Sequence, residues 1–307
     1  TKRAAFLSAK AKGLATDEDP KWRLTLDYPS LIPVMRYADD ESLRKEMFEG
    51  SVAVGRNDGY NNLPVVREIL ILRQQKSELL GFENFSDLVL NTRMAKTGHN
   101  ALHFVEDLFA KTKEHFDRET EELIQFKAQM LSVERTTLNP WEIGYYSEKM
   151  QQATCNISDE ELRPYFTVNR VMDGFCELAR ELFGIEISRV SGESTGTDSE
   201  AEFQIWHEHV RVYQIHDQDG TYIGMFYADL FPRDGKRGGA WMNPLYTADE
   251  NGYPGHIGLI CGNFNPPVDG NPALLTHREV ETVFHEMGHL LHHMLGESEV
   301  PSLHGTS

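Results

Sequence analysis

The chain has little cysteine: three thiols in 307 residues, Cys155, Cys176 and Cys261, far apart and without a Cys-x-x-Cys pair. Neither a disulfide framework nor a thiolate zinc site follows from that set, so a reducing compartment is expected. Positive charge is short as well. Against 48 Asp and Glu there are 30 Lys and Arg, and a formal net charge of -18 repels phosphate backbones and anionic headgroups. Neither nucleic acid nor a membrane surface is expected as a partner. There is no run of about 18 apolar residues to span a bilayer. The start, Thr1-Lys2-Arg3-Ala4-Ala5-Phe6, has no apolar signal stretch. A cytoplasmic protein is the expectation. Internal repeats and low-complexity tracts are missing too, which removes solenoid architectures.

What remains is an ordinary globular composition, 40% hydrophobic and 25% charged, enough for one large core or two smaller ones. The sequence begins without Met and stops at Gly305-Thr306-Ser307 with no terminal element, so a fragment of a longer protein is expected.

From Asp39 to about Ile187 the apolar spacing is helical. Val66, Ile69, Leu70, Leu79 and Leu80 share one such pattern, and Gly81 is placed to end it. A second amphipathic stretch from Ala101 to about Leu131 sets Leu102, Val105, Leu108 and Phe109 against a charged face. Breaks fall at Leu138-Asn139-Pro140-Trp141 and Arg163-Pro164-Tyr165, and a further helix from about Val168 to Phe183 closes at Gly184. After the Gly, Ser and Thr-rich segment Ser191 to Ser199, expected to be a linker, the period shifts toward two. Val210, Val212 and Gln214 alternate with Arg211 and Tyr213, and Asp219-Gly220 then turns the chain into Tyr222 to Leu230, a predicted β-hairpin. A third strand is predicted over Ile257 to Phe264. The expected organisation is a mainly helical scaffold over 1–190, followed over 191–307 by the hairpin, that strand and a metal-site helix.

That helix begins at Thr276-His277-Arg278-Glu279, which has the form of a capping box. Val280, Val283, Phe284, Met287, Leu290, Leu291 and Met294 form a broad apolar stripe, and Gly296 is expected as the stop. On the remaining face stands His285-Glu286-Met287-Gly288-His289, with both imidazoles one turn apart and able to reach a single zinc ion. Zinc polarises a scissile carbonyl and lowers the pKa of its water, and Glu286 is the candidate general base that removes the proton and returns it to the leaving amine. His292 and His293 extend the run and are read as packing or supporting residues. The spacing of metzincins needs a His where Leu295 stands. A catalytic zinc requires a third protein ligand, and Glu297, Glu299 and His304 each fall too close to the helix end to fold back easily.

The stretch Phe284 to Leu295 together with Cys261-Gly262-Asn263-Phe264-Asn265 resembles the thimet-oligopeptidase-like metallopeptidase family. Asp229-Leu230-Phe231-Pro232-Arg233, Gly235 to Met242, Trp141 to Tyr146 and Leu24 to Ser30 extend the resemblance over essentially the whole chain. It implies a mainly α fold with a small antiparallel β-sheet, a zincin-type region within a two-lobed, channel-forming peptidase, and short unstructured peptides as substrates. It implies that the third zinc ligand is a Glu lying beyond Ser307. It also implies that the strand over Ile257 to Phe264 is an edge strand beside the zinc, with Cys261 and Gly262 as candidate substrate contacts. The implied function is a zinc-dependent endopeptidase, the alternatives being a dipeptidyl carboxypeptidase of the same family or a catalytically inactive peptide-binding protein. Gly238-Gly239 is read as a close turn, and Lys236 and Arg237 as solvated or structural.

Overall fold

The computed structural model describes residues 2–57, 59–155, 159–190, 193–195, 203–248, 254–268, 270–298, 300 and 303–305. Most of the segment expected as a linker, Ser191 to Ser199, lies outside them. The helices come first, as the spacing predicts: α1 (Lys2–Ala11), α2 (Tyr28–Tyr37), α3 (Glu41–Val52), α4 (Leu63–Leu79), α5 (Phe85–Leu90), α6 (Gly98–Leu131), α7 (Pro140–Cys155), α8 (Asp159–Leu162) and α9 (Val168–Phe183). The strands follow as β1 (Glu186–Arg189), β2 (Glu193–Thr195), β3 (Phe203–Ile205), β4 (Arg211–His216), β5 (Tyr222–Asp229), β6 (Trp241–Tyr246) and β7 (His256–Cys261), and α10 (His277–Met294) comes last.

Contacts group the chain into residues 33–155 and, separately, residues 1–32 with 156–307.

Within 33–155 the helices are capped by local chemistry. Asp40 accepts from the Ser42 and Leu43 amides at the start of α3, and Thr97 accepts from the Asn100 amide at the start of α6. The α6 helix ends on Ser132 in the left-handed region. Its last turns are held to α7 by a buried ion pair, Lys127 Nζ to both Glu142 carboxylate oxygens at 2.7 Å. The Asn139 amide donates to the same carboxylate at 2.8 Å, and the Thr137 carbonyl accepts from Lys127 at 2.7 Å. Burial works against the Glu142 charge, but these donors outweigh it and lower its pKa. The amphipathic faces read from α4 and from the first half of α6 are present, but no described residue covers them: Val66, Ile69 and Leu70 are exposed, as are Leu102, Val105 and Phe109.

The other unit is built on a five-stranded sheet in the order β1-β4-β5-β7-β6. The predicted hairpin is β4 and β5, joined through Asp219, whose carboxylate accepts from the Thr221 amide, and Gly220 at φ 86°. The expectation of an antiparallel sheet fails at one pairing, because β5 and β7 run parallel and the sheet is mixed. These two strands are joined not by a hairpin but by a crossover that itself contributes β6, and β6 then pairs antiparallel with β7. The strand expected at an edge is therefore interior, and β6 is the edge. The ladder of β7 ends at Cys261, short of Phe264, although the Gly262 and Phe264 amides still donate to the Asp229 and Leu230 carbonyls.

One face of this sheet carries the main core. Ile187, Ile215, Phe226, Ala228 and Ile260 meet Val171, Met172, Phe175 and Ala179 of α9 and Val283, Met287, Leu290, Leu291 and Met294 of α10. The other face holds a smaller cluster of Ile205, Val210, Val212 and Met225. The two helices meet at Phe175 and Phe284, edge to face at 5.3 Å. Their starts are tied by the Val168 amide to the Ala273 carbonyl and the Leu275 amide to the Phe166 carbonyl. Helix α10 approaches β7 so closely at Gly258 that a Cβ there would overlap Leu290 and stand 2.9 Å from Met294 Cε. A side chain at 258 would have to push aside the ends of those two core side chains.

Candidate active site

The capping box at the head of α10 is formed in both directions. Thr276 Oγ1 accepts from the Glu279 amide at 3.2 Å, and Glu279 Oε2 accepts from the Thr276 amide at 2.7 Å. The apolar stripe presses this helix on the sheet, which leaves His285, Gly288 and His292 exposed and Glu286 and His289 half-buried. His285 Nε2 and His289 Nε2 stand 3.1 Å apart, with the rings nearly perpendicular at 89°. Two nitrogens each about 2.1 Å from one tetrahedral ion stand about 3.4 Å apart, so this separation suits a single ion with little movement. Glu286 follows His285 directly in sequence on the same turn and is open enough to solvent to meet a water or a substrate. Among the described residues no group of three His, Cys, Asp or Glu side chains is placed to hold a metal ion. The pair therefore fits two corners of a metal site, which would need a third ligand from outside the described residues.

The neighbouring histidines do other work. His292 is exposed, whereas His293 is buried with Nε2 3.1 Å from the Tyr246 carbonyl, tying α10 to the edge strand β6. The His293 ring stacks edge-on to His256 at 5.1 Å, and His304 lies 5.0 Å from His256 on another side. His256 Nδ1 accepts from the Ala248 amide at 3.1 Å. Burial, reinforced by the two neighbouring imidazoles, holds His256 down to about 4. His304 is thus a packing residue. It passes so near Gly296 that a Cβ there would stand 2.7 Å from its Nδ1. Helix α10 stops earlier than Gly296, at Met294 with Leu295 as its cap, and the glycine serves this close approach rather than a left-handed turn.

Cys261 and Gly262 lie at the end of β7. Cys261 is buried, opposite Asp229 on one side and Trp241 on the other, and burial pushes its thiol up to about 11. The main-chain groups of Gly262 are both engaged: the amide donates to the Asp229 carbonyl at 2.8 Å, and the carbonyl accepts from Lys236 Nζ at 2.6 Å. Lys236 is not solvated. It is buried and reaches the Asp229 carboxylate at 2.9 Å and the Asp229 and Phe231 carbonyls at 2.8 Å. Arg233 meets the same carboxylate through two hydrogen bonds of 2.8 Å, and Trp206 Nε1 adds one at 2.9 Å. Burial alone would raise the Asp229 pKa, yet these donors hold it at about 2. The Gly238-Gly239 turn, with Gly239 at φ 93°, is pinned by Asn263 Nδ2 on the Arg237 and Gly239 carbonyls. The loop between β5 and β6 is thereby locked to the segment after β7, a fixture that could not be read from Asp229 or Lys236 singly because neither lies in a local motif.

Two imidazoles converging from one helix turn, with a carboxylate between them in sequence, point to the class of metal-dependent peptidases. The chain belongs to Peptidase family M3, which matches residues 34–307. Oligopeptidase A of Salmonella typhimurium is 40% identical over 313 residues, covering 99% of this chain and 44% of that protein. Oligopeptidase A of Escherichia coli is 38% identical, with the same coverage of both chains. Dipeptidyl carboxypeptidase of Escherichia coli is 30% identical over 304 residues, 98% of this chain and 42% of that protein. The chain thus spans less than half the length of these relatives.

Proposed function

We propose that residues 1–307 carry part of the active site of a zinc-dependent oligopeptidase that hydrolyses short, unstructured peptides. The observation that carries this reading is the 3.1 Å convergence of His285 and His289 on α10, within a chain of Peptidase family M3. The two imidazoles hold one zinc ion, and the third ligand is a carboxylate outside the described residues. When bound, zinc supplies Lewis-acid polarisation of the scissile carbonyl and of the attacking water. Glu286 takes a proton from that water as its oxygen bonds to the carbonyl carbon, and delivers a proton to the amine nitrogen as the C–N bond breaks. The carboxylate is thereby returned to its starting form.

The edge strand β6 supports peptide docking in the same reading. Its ladder to β7 leaves the opposite edge facing away from the sheet, and Asn243, Pro244 and Leu245 on it are exposed. A peptide laid there binds through its main chain, which tolerates many side-chain sequences. Cys261 and Gly262 belong to this reading as support for β6 rather than as substrate contacts, Cys261 pairing with Trp241 at the start of β6 and Gly262 anchoring Lys236. Free thiols at Cys155, Cys176 and Cys261 suit a reducing, cytoplasmic setting. No described helix is long and apolar enough to cross a membrane.

The test is cleavage of an internally quenched short peptide by the complete gene product, beside its Glu286→Gln variant. Turnover that is lost on chelation and falls by roughly 100-fold or more in the variant is expected for a general base. Undiminished turnover in Glu286→Gln would remove Glu286 from the mechanism. The relationship to dipeptidyl carboxypeptidases gives the second reading, and a peptide with a blocked C-terminus separates the two, because only an endopeptidase cuts it well within its length.

A further inference from the structure

One turn beyond the paired histidines, α10 reaches the edge strand β6 through His293. His293 is 2% exposed, and its Nε2 stands 3.1 Å from the Tyr246 carbonyl. A carbonyl only accepts, so the ring donates Nε2–H, and burial, which lowers its pKa, favours the neutral form. The bond falls where the ladder of β6 is irregular. Register with β7 shifts between Pro244 and Tyr246, and Pro244 has no amide to give to a ladder. Met242 of β6 also packs against the core that α10 shares, but apolar contact is non-directional, whereas a hydrogen bond fixes a separation. The ring is itself held: His256 of β7 meets it edge-on at 5.1 Å, and a Cβ on Gly305 would stand 3.5 Å from its Cβ.

We infer, resting on the proposed function, that His293 is a positioning residue: through its hydrogen bond to Tyr246 it sets the peptide-docking strand β6 at a fixed distance from His285 and His289. In that reading β6 holds the main chain of the peptide and α10 holds the ion, so the tie between strand and helix decides where the scissile carbonyl falls. His293 is buried and acts only through β6. A small movement is enough, because attack needs reacting atoms within about 3–3.5 Å and a misplacement of about 1 Å costs on the order of 100-fold. The loss falls on kcat rather than KM, since the peptide still pairs along the edge of β6 and only its place against the ion changes.

The test compares His293→Leu, His293→Gln and His293→Asn in the complete gene product. The Gln amide reaches about as far as the imidazole Nε2 and keeps an N–H donor for Tyr246, the Asn amide ends one methylene short, and Leu has no donor. The first readout needs no turnover: in the metal-free protein, amide hydrogen exchange at the β6 positions paired with β7 should speed up roughly tenfold or more in the Leu and Asn variants and stay near the unsubstituted rate in the Gln variant. The second is cleavage of an internally quenched peptide, taken per bound zinc so that lost folding or lost metal does not count as lost positioning. There kcat should fall roughly tenfold or more in the Leu and Asn variants with KM within about threefold, and the Gln variant should recover kcat to within about threefold. Unchanged exchange at β6, or a kcat per zinc unchanged in His293→Leu, overturns the inference. So does a Gln variant no faster than the Asn variant, a comparison that decides alone if the Leu chain does not fold. A loss confined to KM overturns it as well, because binding and not placement would then be lost. If the unsubstituted protein shows no chelator-sensitive cleavage, the proposed function fails and takes this role of His293 with it, a result distinct from any ordering among the variants.

Discussion

His285 Nε2 and His289 Nε2 face one another across 3.1 Å, a turn apart on α10. At that distance one ring donates to the other. An ion between them replaces that single hydrogen bond with two coordinate bonds. Zinc added to residues 1–307 and followed by calorimetry is expected to bind at this pair. Loss of a metal ligand costs more than the ~10–100-fold that accompanies loss of a supporting partner. His285→Ala and His289→Ala should each weaken binding by roughly 100-fold or more. Glu286→Gln, which removes no ligand, should leave it within about threefold. Wild-type affinity in either His variant would place the ion elsewhere.

Much of this site was legible because its signals are local. Thr276 and Glu279 announce the start of α10, the spacing of Val283, Met287, Leu290 and Met294 announces its buried side, and the histidines then fall on what remains. Asp219-Gly220 marks the hairpin equally well. The strand β6 escaped because Trp241-Met242-Asn243-Pro244-Leu245-Tyr246 does not alternate. It is an edge strand, where Pro244 is tolerated and the middle residues stay exposed. Nor could the parallel pairing of β5 with β7 be read from either strand, since the crossover decides it. The bare faces of α4 and α6 look like ordinary core stripes in sequence, and only the structure shows that no described residue covers them.

Gly258 lies where the core side chains of the site helix come closest to β7. A Cβ there overlaps Leu290, a residue without exposure in the tightly packed core, and lies 2.9 Å from Met294 Cε. Gly258→Val is expected to cost about 1–3 kcal/mol in denaturant unfolding, the usual range for overpacking. Pairing it with Leu290→Ala should cost less than the sum of the two single changes, because one makes the volume that the other fills. Strict additivity would mean that α10 does not rest on Gly258.

His256 makes the folded state sensitive to mild acid. Its pKa is held to about 4 in the folded state, against about 6.5 in an unfolded chain, and that of His293 is lowered by burial as well. A group with a depressed folded pKa that is neutral when folded contributes stability above the unfolded pKa. The contribution is lost as pH falls from about 6.5 toward 4, where the unfolded chain takes up protons that the folded chain refuses. Protonation would also cost the hydrogen bond from the Ala248 amide, since Nδ1 could no longer accept it. Unfolding free energy should drop on the order of 2 kcal/mol over that window. His256→Gln should flatten the slope, whatever it does to the stability at pH 7. An unchanged slope in the variant would assign the acid sensitivity to other groups.

Asp229 should behave in the opposite pH range, and the contrast separates the two networks. Its pKa is held at about 2 when folded against about 3.9 unfolded, so its contribution is complete above pH 4 and disappears only as pH falls toward 2. Between pH 6.5 and 4 it adds no slope, and Asp229→Asn should leave the histidine-dependent part of the pH profile intact. At pH 7 the same substitution removes the partner of two cations, Arg233 and the buried Lys236. Lys236 would keep its contacts to the Asp229, Phe231 and Gly262 carbonyls, which softens the usual ~3–5 kcal/mol cost of an orphaned buried charge to about 2–4 kcal/mol. Adding Lys236→Met should recover part of the loss, since the uncompensated ammonium is then gone and its volume is nearly kept. A double variant as unstable as the sum of the two singles would show that Asp229 and Lys236 act independently, and the loop ahead of β6 would then owe its position to Arg233 and Asn263 alone.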